Sequence, residues 1–280
     1  MKTNKKVISL AKRLDREQWS VFQSELYQTN TTVVVTDDLI LITDPTWLPA
    51  EIEEIRNFVE ERKKDQTVYL LLTHSDFDHV IGAGAFPEAT IIASRGFNAR
   101  SDKEEIVQKM KEFDDAYYIH RSYELQYPQP DIIVDSDEQV LEEGETKIKF
   151  YLAPGHTVDG LAAVVEPLGL CIAGDYLSNV EIPIIEYHSE SYQFTLKKLD
   201  ELWKSSKYST VVPGHGLVAS KPEEIEKRLR DSEWYIENTK KSLEDPYVES
   251  AIFAFIDRHK FEAPLKQVHA DNKEQLKSER

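Results

Sequence analysis

The chain has 280 residues, 40% of them hydrophobic and 30% charged, which is enough to bury a large core. Its formal charge of −17 argues against a nucleic-acid groove or an anionic membrane surface as the main partner, because both attract basic patches. A single cysteine, Cys171, lies in the apolar run 168–173, so no disulfide can form within the chain and a cytoplasmic setting is expected. Lys2, Lys5 and Lys6 precede an apolar stretch that Lys12 and Arg13 cut short. No signal peptide is expected, and no run approaches the roughly 20 apolar residues that span a bilayer.

Residues 31–36 and 39–43 read as two strands joined at Asp37 and Asp38 in a hairpin-like turn. Ile52, Ile55, Phe58 and Val59 recur at helical spacing through 50–64. Strand 68–72 follows, then a helix or turn near 79–86 and a short buried strand at 90–93. Residues 98–128 are rich in charge and tyrosine, with Ile106, Met110 and Phe113 at helical spacing, and read as a helical insertion between two core strands. Strands resume at 131–134, 147–152, 162–165 and 171–173. Residues 191–203 form an amphipathic helix, and 210–212 is the last core strand. From Pro222 the chain is helical and charged, ending in a polar, frayed tail. No repeat or low-complexity linker divides it. The class is mixed α/β: one domain over 1–280, with a core at about 20–220 and a helical C-terminal extension over 221–280.

The chemistry concentrates at 74–79, where His74, Asp76, Asp78 and His79 follow directly on the apolar strand 68–72. Side chains alternate along extended backbone, so His74, Asp76 and Asp78 start on one face. His79 turns in where the chain bends toward Gly82 and Gly84. Imidazole and carboxylate are ligands that suit zinc, iron or manganese. Three later segments repeat the arrangement of apolar strand, turn residue and ligand. Residues 150–155 deliver His156, 170–174 deliver Asp175 and 210–214 deliver His215. A glycine beside each lets backbone approach closely. One histidine after a strand is more often structural; four such strand ends in this order point to a metal site.

In these motifs the sequence resembles the metallo-β-lactamase superfamily, whose pattern is H-x-H-x-D-H followed by a histidine, an aspartate and a histidine at separate strand ends. The resemblance covers roughly residues 30–220. It implies a four-layer αβ/βα sandwich with metal at one edge, between the sheets. Carried over residue by residue, it implies a first site of His74, Asp76 and His156, and a second of Asp78, His79 and His215. Asp175 would bridge two divalent ions, and Asp44 would orient a ligand histidine from beneath. The departure is Asp76, where the family has its second histidine; a carboxylate there still binds metal. Two divalent cations against three aspartates and a hydroxide give a neutral centre, where the usual two-aspartate site keeps one positive charge. Zinc is expected first, with manganese or iron favoured by the added oxygen donor. Diiron flavoproteins of the superfamily are similar at this position.

The resemblance implies a hydrolase acting through a metal-bound hydroxide on a small-molecule ester, lactone, thioester or similar substrate. Asp78, besides being a ligand, would shuttle a proton, and Tyr176 would either donate to the oxyanion or simply pack beside the site. An iron-dependent oxidoreductase and a non-catalytic homologue are the alternatives. The first lacks a flavodoxin-like segment, and retention of all seven ligand positions counts against the second. Neither nucleic acid nor membrane is expected as a partner, and the sequence leaves the oligomeric state open. His269 and Asn272 resemble a C-terminal His-x-x-Asn element that pins the last helix. Trp47 would wall the pocket, whereas Trp203 and Trp234 sit at helical core spacing. Arg228, Arg230, Lys240 and Lys241 read as a solvated helix face, and His120, His188 and His259 as surface residues.

Overall fold

Two sheets face each other in a computed structural model that describes residues 12–280. The lysines at positions 2, 5 and 6, on which the signal-peptide expectation turns, lie outside the described residues. The first sheet runs in chain order through β1 (Lys12–Asp15), β2 (Trp19–Gln23), β3 (Asn30–Val35), β4 (Leu39–Thr43), β5 (Thr67–Leu71), β6 (Thr90–Ser94) and β7 (Ile132–Val134). It is antiparallel up to β4 and parallel from β4 to β7. The second contains β8 (Gln139–Glu143), β9 (Thr146–Leu152), β10 (Leu161–Glu166), β11 (Leu170–Ile172) and β12 (Thr210–Val212), in the reverse order β12-β11-β10-β9-β8.

Alternation along the strands sorts the apolar side chains into three cores. Leu39, Leu41, Tyr69 and Leu71 of the first sheet meet Phe150, Leu161, Ala163 and Val165 of the second in the central layer. On the outer face of the first sheet, Ile40, Ile42 and Leu70 pack against Ile52, Ile55 and Phe58 of α1 (Pro49–Arg62) and Met110 of α4 (Lys103–Ala116). Short helices α2 (Phe77–Val80) and α3 (Arg95–Ala99) lie between them in sequence. On the outer face of the second sheet, Tyr151, Val164 and Cys171 pack against α5 (Ser189–Lys204) and α6 (Pro222–Ser242) through Leu196, Leu199 and Leu229. The layers are therefore helix, sheet, sheet, helix. Cys171 is fully buried and burial pushes its thiol up to about 12, which makes it a small hydrophobe. No helix among the described residues is long and apolar enough to cross a membrane.

Three strands, β1, β2 and β8, are absent from the sequence reading. β2 buries Ser20 and Gln23 beside its apolar residues, and β8 carries two glutamates and a glutamine, so neither shows a clean apolar alternation. The expected insertion is α4 plus an irregular return, clamped by Arg121. Its guanidinium grips Asp114 through two 2.8 Å bonds and donates to the Trp47 carbonyl at 2.9 Å. Trp203 packs against the outer core as expected, but Trp234 stacks on Phe255 while 36% exposed. Arg228 is a correction: it is buried and donates to the carbonyls of Leu177 and Leu217, while Arg230 and Lys241 stay on the solvated face.

The tail also differs from expectation. After α7 (Glu249–Ile256), α8 (Glu262–Ser278) continues almost to the terminus and buries Leu265, His269, Asn272 and Leu276 along one stripe. Two of the four are polar, which hides the helical period from an apolar pattern. Their partner is the buried Tyr235 of α6. Its hydroxyl accepts from Asn272 Nδ2 and donates to His269 Nδ1, both at 2.9 Å, leaving His269 neutral with its hydrogen on Nε2.

Burial holds the His269 pKa below the usual 6.5, with Glu249 pulling the other way. An unfolded chain takes up a proton here near pH 6.5, and the folded chain only at lower pH. The stabilisation is thus complete above about pH 6.5 and is lost as pH falls toward the folded value. Hydrogen-exchange protection of α8 is expected to decline between pH 7 and pH 5. His269→Phe, which costs about 1 kcal/mol through the lost hydrogen bond, should flatten that decline; an unaltered pH dependence would acquit His269.

Candidate metal centre

The carboxyl ends of β4, β5, β9, β11 and β12 open onto one edge of the sandwich, and each carries a polar group onto it. Asp44 follows β4. Beyond β5, Asp76 stands at the N-terminus of α2, so Asp78 and His79 fall in its single turn. His156, Asp175 and His215 follow β9, β11 and β12. Backbone bonds from Leu161 N to Thr73 O (2.7 Å) and Gly214 N to Gly174 O (2.6 Å) lock these loops together. A Cβ on Gly214 would lie 2.0 Å from Asp175 Oδ1, so only glycine allows the approach. Gly155 has φ +134° and presses on the Tyr192 backbone.

The seven residues expected as ligands converge. His156 Nε2 lies 3.1 Å from Asp76 Oδ2 and 3.2 Å from Asp175 Oδ2, and His74 Nε2 lies 3.5 Å from Asp76 and 3.6 Å from Asp175. Nearby, Asp78 Oδ2 is 3.4 Å from both His79 Nε2 and His215 Nε2. Asp175 reaches His79 at 3.2 Å and His215 at 3.4 Å, so this one carboxylate touches all four imidazoles. Groups of ligand atoms within 4.8 Å of one another join His74, Asp76 and His156, and separately Asp78, His79 and His215.

The outward nitrogens decide the character of this cluster. His79 Nδ1 donates to Asp44 Oδ2 (3.0 Å), His74 Nδ1 to Thr73 Oγ1 (3.0 Å), His156 Nδ1 to Ile184 O (3.0 Å) and His215 Nδ1 to Tyr27 O (3.0 Å). Thr73 Oγ1 in turn donates to Asp44 at 2.5 Å, so one buried carboxylate orients two imidazoles. A neutral imidazole has one N–H. With all four spent outward, each Nε2 presents a lone pair inward, and His79 and His215 bring two such pairs within 3.2 Å. His74 Nε2 and Asp175 Oδ1 are buried with no hydrogen-bond partner at all. A cation is what this donor set lacks, and the residues therefore fit divalent metal.

The charges around the cluster act in the same sense. Burial alone would lower His79, His156 and His215, yet the surrounding carboxylates hold the first two well above the usual 6.5 and His215 at about 10. Asp76 and Asp175 sit well below the ordinary carboxylate range because the histidine charges outweigh their burial. Without metal, the cluster keeps protons in its place.

Two residues depart from expectation. Tyr176 does not face the site as an oxyanion donor: its hydroxyl is buried beneath the 153–156 loop, accepting from His156 N at 3.1 Å with Pro154 O at 2.9 Å. It packs beside the site and shapes the loop that carries His156. Glu181, not singled out in the sequence because it follows no strand, lies 3.8 Å from His215 Nδ1 and groups with Asp175 and His215. Burial pushes its carboxyl up to about 7; His215 pulls the other way, and Asp175 and Asp78 add to the rise. His188 caps α5, and His120 is exposed.

The cluster floors a cavity of about 1090 Å³. Trp47, Phe77, Ile106 and Ile184 wall one part, and Phe261, Pro264, Leu265 and Val268 bring in α8 and the loop before it. Trp47 takes the place expected for it and packs on Phe77 and Phe113.

The description "Metallo-beta-lactamase superfamily" belongs to the sequence profile that matches residues 25–215. No curated protein matches the chain. Among solved structures, it is similar to an archaeal superfamily protein, ST1585 from Sulfolobus tokodaii. That pair shares 19% identity over 72% of this chain and 79% of that one, with TM-score 0.51. A metallo-beta-lactamase from Pontibacter korlensis is 15% identical over 81% of this chain and 99% of its own, with TM-score 0.57. The sec-alkylsulfatase Pisa1 from Pseudomonas sp. is 12% identical, with TM-score 0.60, over 82% of this chain but 42% of its own. At these identities the likeness is one of fold, while the profile spans most of the chain and takes in every converging group. The chain belongs to the metallo-β-lactamase superfamily.

Proposed function

We propose that this chain is a dinuclear metal-dependent hydrolase of a small acyl ester, lactone or thioester. His74, Asp76 and His156 would hold one divalent ion, Asp78, His79 and His215 the other, and Asp175 both. The observation that carries the reading is the convergence of four imidazole Nε2 atoms on three carboxylates, with an outward partner at every Nδ1. Bound there, divalent metal supplies Lewis acidity and water activation at neutral pH. Zinc is the first choice; the oxygen of Asp76 brings manganese and iron within range.

The chain's own groups divide the remaining work. Asp175, buried against all four imidazoles, fixes their spacing. Asp78 is the better candidate for moving a proton, since both carboxylates line the cavity but the Asp78 side chain is 15% exposed against 5% for Asp175. Glu181 stands at the same cavity, its Oε1 3.8 Å from His215 Nδ1, and adds a carboxyl at the edge of the site. The wall of Trp47, Phe77, Ile106 and Leu265 suits an acyl group, while Lys12, Arg100, Lys109 and Lys260 line the same cavity and offer positive charge to an anionic part of a substrate.

Four outcomes test this. Protein purified without added metal should contain zinc, manganese or iron. Adding the metal to apo-protein at pH 8 in weak buffer should release about one to two protons per chain, because ligands must deprotonate to bind. Histidines of ordinary pKa are already neutral at that pH, so absence of proton release would contradict the raised values at this cluster. Asp76→His should keep metal and shift preference toward zinc, and Asp76→Ala should weaken the first site. Equal loss of metal and activity in both would show that the carboxylate is not a replaceable ligand. Finally, kcat/KM on aryl esters should climb from acetate to octanoate, by at most about fourfold per buried methylene at 0.8 kcal/mol each. Phe261→Ala should flatten the climb and spare acetate; a flat wild-type profile would remove the apolar wall from substrate binding.

A further inference from the structure

Ile184 accepts the outward hydrogen of His156, yet the loop that presents it has no strand or helix of its own. Its support comes from the far end of the chain. Asn272 of α8 is 2% exposed and bonds the peptide groups on both sides of Ile184. Its Oδ1 accepts from Ile185 N at 2.8 Å, and its Nδ2 donates to Pro183 O at 2.7 Å. The same Nδ2 donates its second hydrogen to Tyr235 Oη at 2.9 Å. Glu186 N, at 2.9 Å, and Tyr187 N, at 3.0 Å, close the loop onto the His156 carbonyl. The His156 imidazole is thus held from Ile184, and Ile184 from a carboxamide 88 positions beyond it in sequence.

We propose that Asn272 is a positioning residue of the metal centre: by clamping residues 183–185 it holds the Ile184 carbonyl against His156 Nδ1 and so aims Nε2 at Asp76 and Asp175. This rests on the metal reading above and goes beyond pinning α8. Only a carboxamide serves, since it must accept from one peptide N–H and donate to a peptide carbonyl. Aspartate keeps the first bond and sets a lone pair against Pro183 O. Partners that orient a ligand imidazole typically change metal affinity by about 10–100-fold when removed. The role differs from that of Leu276, which is buried on the same stripe of α8 but has no polar group to bond the loop backbone.

The test uses Co²⁺ as probe on the full chain. In wild type, each ligand histidine should give one solvent-exchangeable, paramagnetically shifted N–H resonance in the proton spectrum, four in all. In Asn272→Ala one of the four should shift or exchange rapidly with water while three stay, and affinity for one Co²⁺ should fall about tenfold or more. Asn272→Asp should show the same resonance perturbed, which keeps the test open if the alanine variant folds poorly. Leu276→Ala, with a comparable or larger loss of thermal stability, should leave all four resonances and the affinity unchanged. Four unchanged resonances in both Asn272 variants, or equal changes in Leu276→Ala, would overturn the positioning role. Fewer than four shifted resonances in wild type would instead overturn the four-histidine metal reading itself.

Discussion

Four imidazoles that have all turned their single hydrogen outward are the constraint on which this structure depends. Asp44, Thr73, Ile184 and Tyr27 each take one Nδ1–H, so the inward side holds lone pairs and carboxylates alone. Packed this closely, such a set is costly without a positive charge to balance it. In the metal-free chain protons fill that role, which is why three of the histidines stand well above their ordinary pKa. Metal and proton compete for one space.

The acceptors that fix those hydrogens are spread over the whole molecule. Asp44 belongs to the first sheet and reaches His74 through Thr73. Tyr27 lies in the β2–β3 connection, and Ile184 in a loop braced by the last helix. The converging histidines and aspartates themselves follow strands of both sheets. The sandwich therefore has to be closed, with its central layer of Leu41, Leu71, Phe150 and Ala163 packed, before the donor set exists. Close approach of backbone at Gly214 then brings Asp175 against His79 and His215.

Much of this was legible in the sequence because each ligand follows an apolar strand, and a strand end has a fixed address in the fold. His74, Asp76, His156, Asp175 and His215 were found that way, and all converge. Tyr176 shows the limit: adjacency to Asp175 gives proximity, but neighbouring side chains point apart, and its hydroxyl bonds the loop beneath the site. Glu181 follows no strand and leaves no such trace. The apolar period alone does not show the buried stripe of α8, because His269 and Asn272 stand where it expects hydrophobes; their resemblance to a helix-pinning element is the signal there, and Tyr235 satisfies both. β1, β2 and β8 were missed for a related reason, since edge and polar strands do not alternate cleanly.

Asp76 links the electrostatics of the centre to the shape of its cavity. With Asp76, Asp78 and Asp175 against two divalent ions, the proposed centre has less positive charge than one built on two aspartates. Glu181, 3.8 Å from His215, adds a further carboxyl beside the centre and reduces its positive charge again when ionised. A centre close to neutral exerts little pull on a dianion from a distance. Binding energy then has to come from burial, and an apolar wall along a cavity of about 1090 Å³ is where burial is available. On the proposed reading, Asp76 in place of a histidine and the apolar lining contributed by α4 and α8 both fit a substrate with an apolar group to bury.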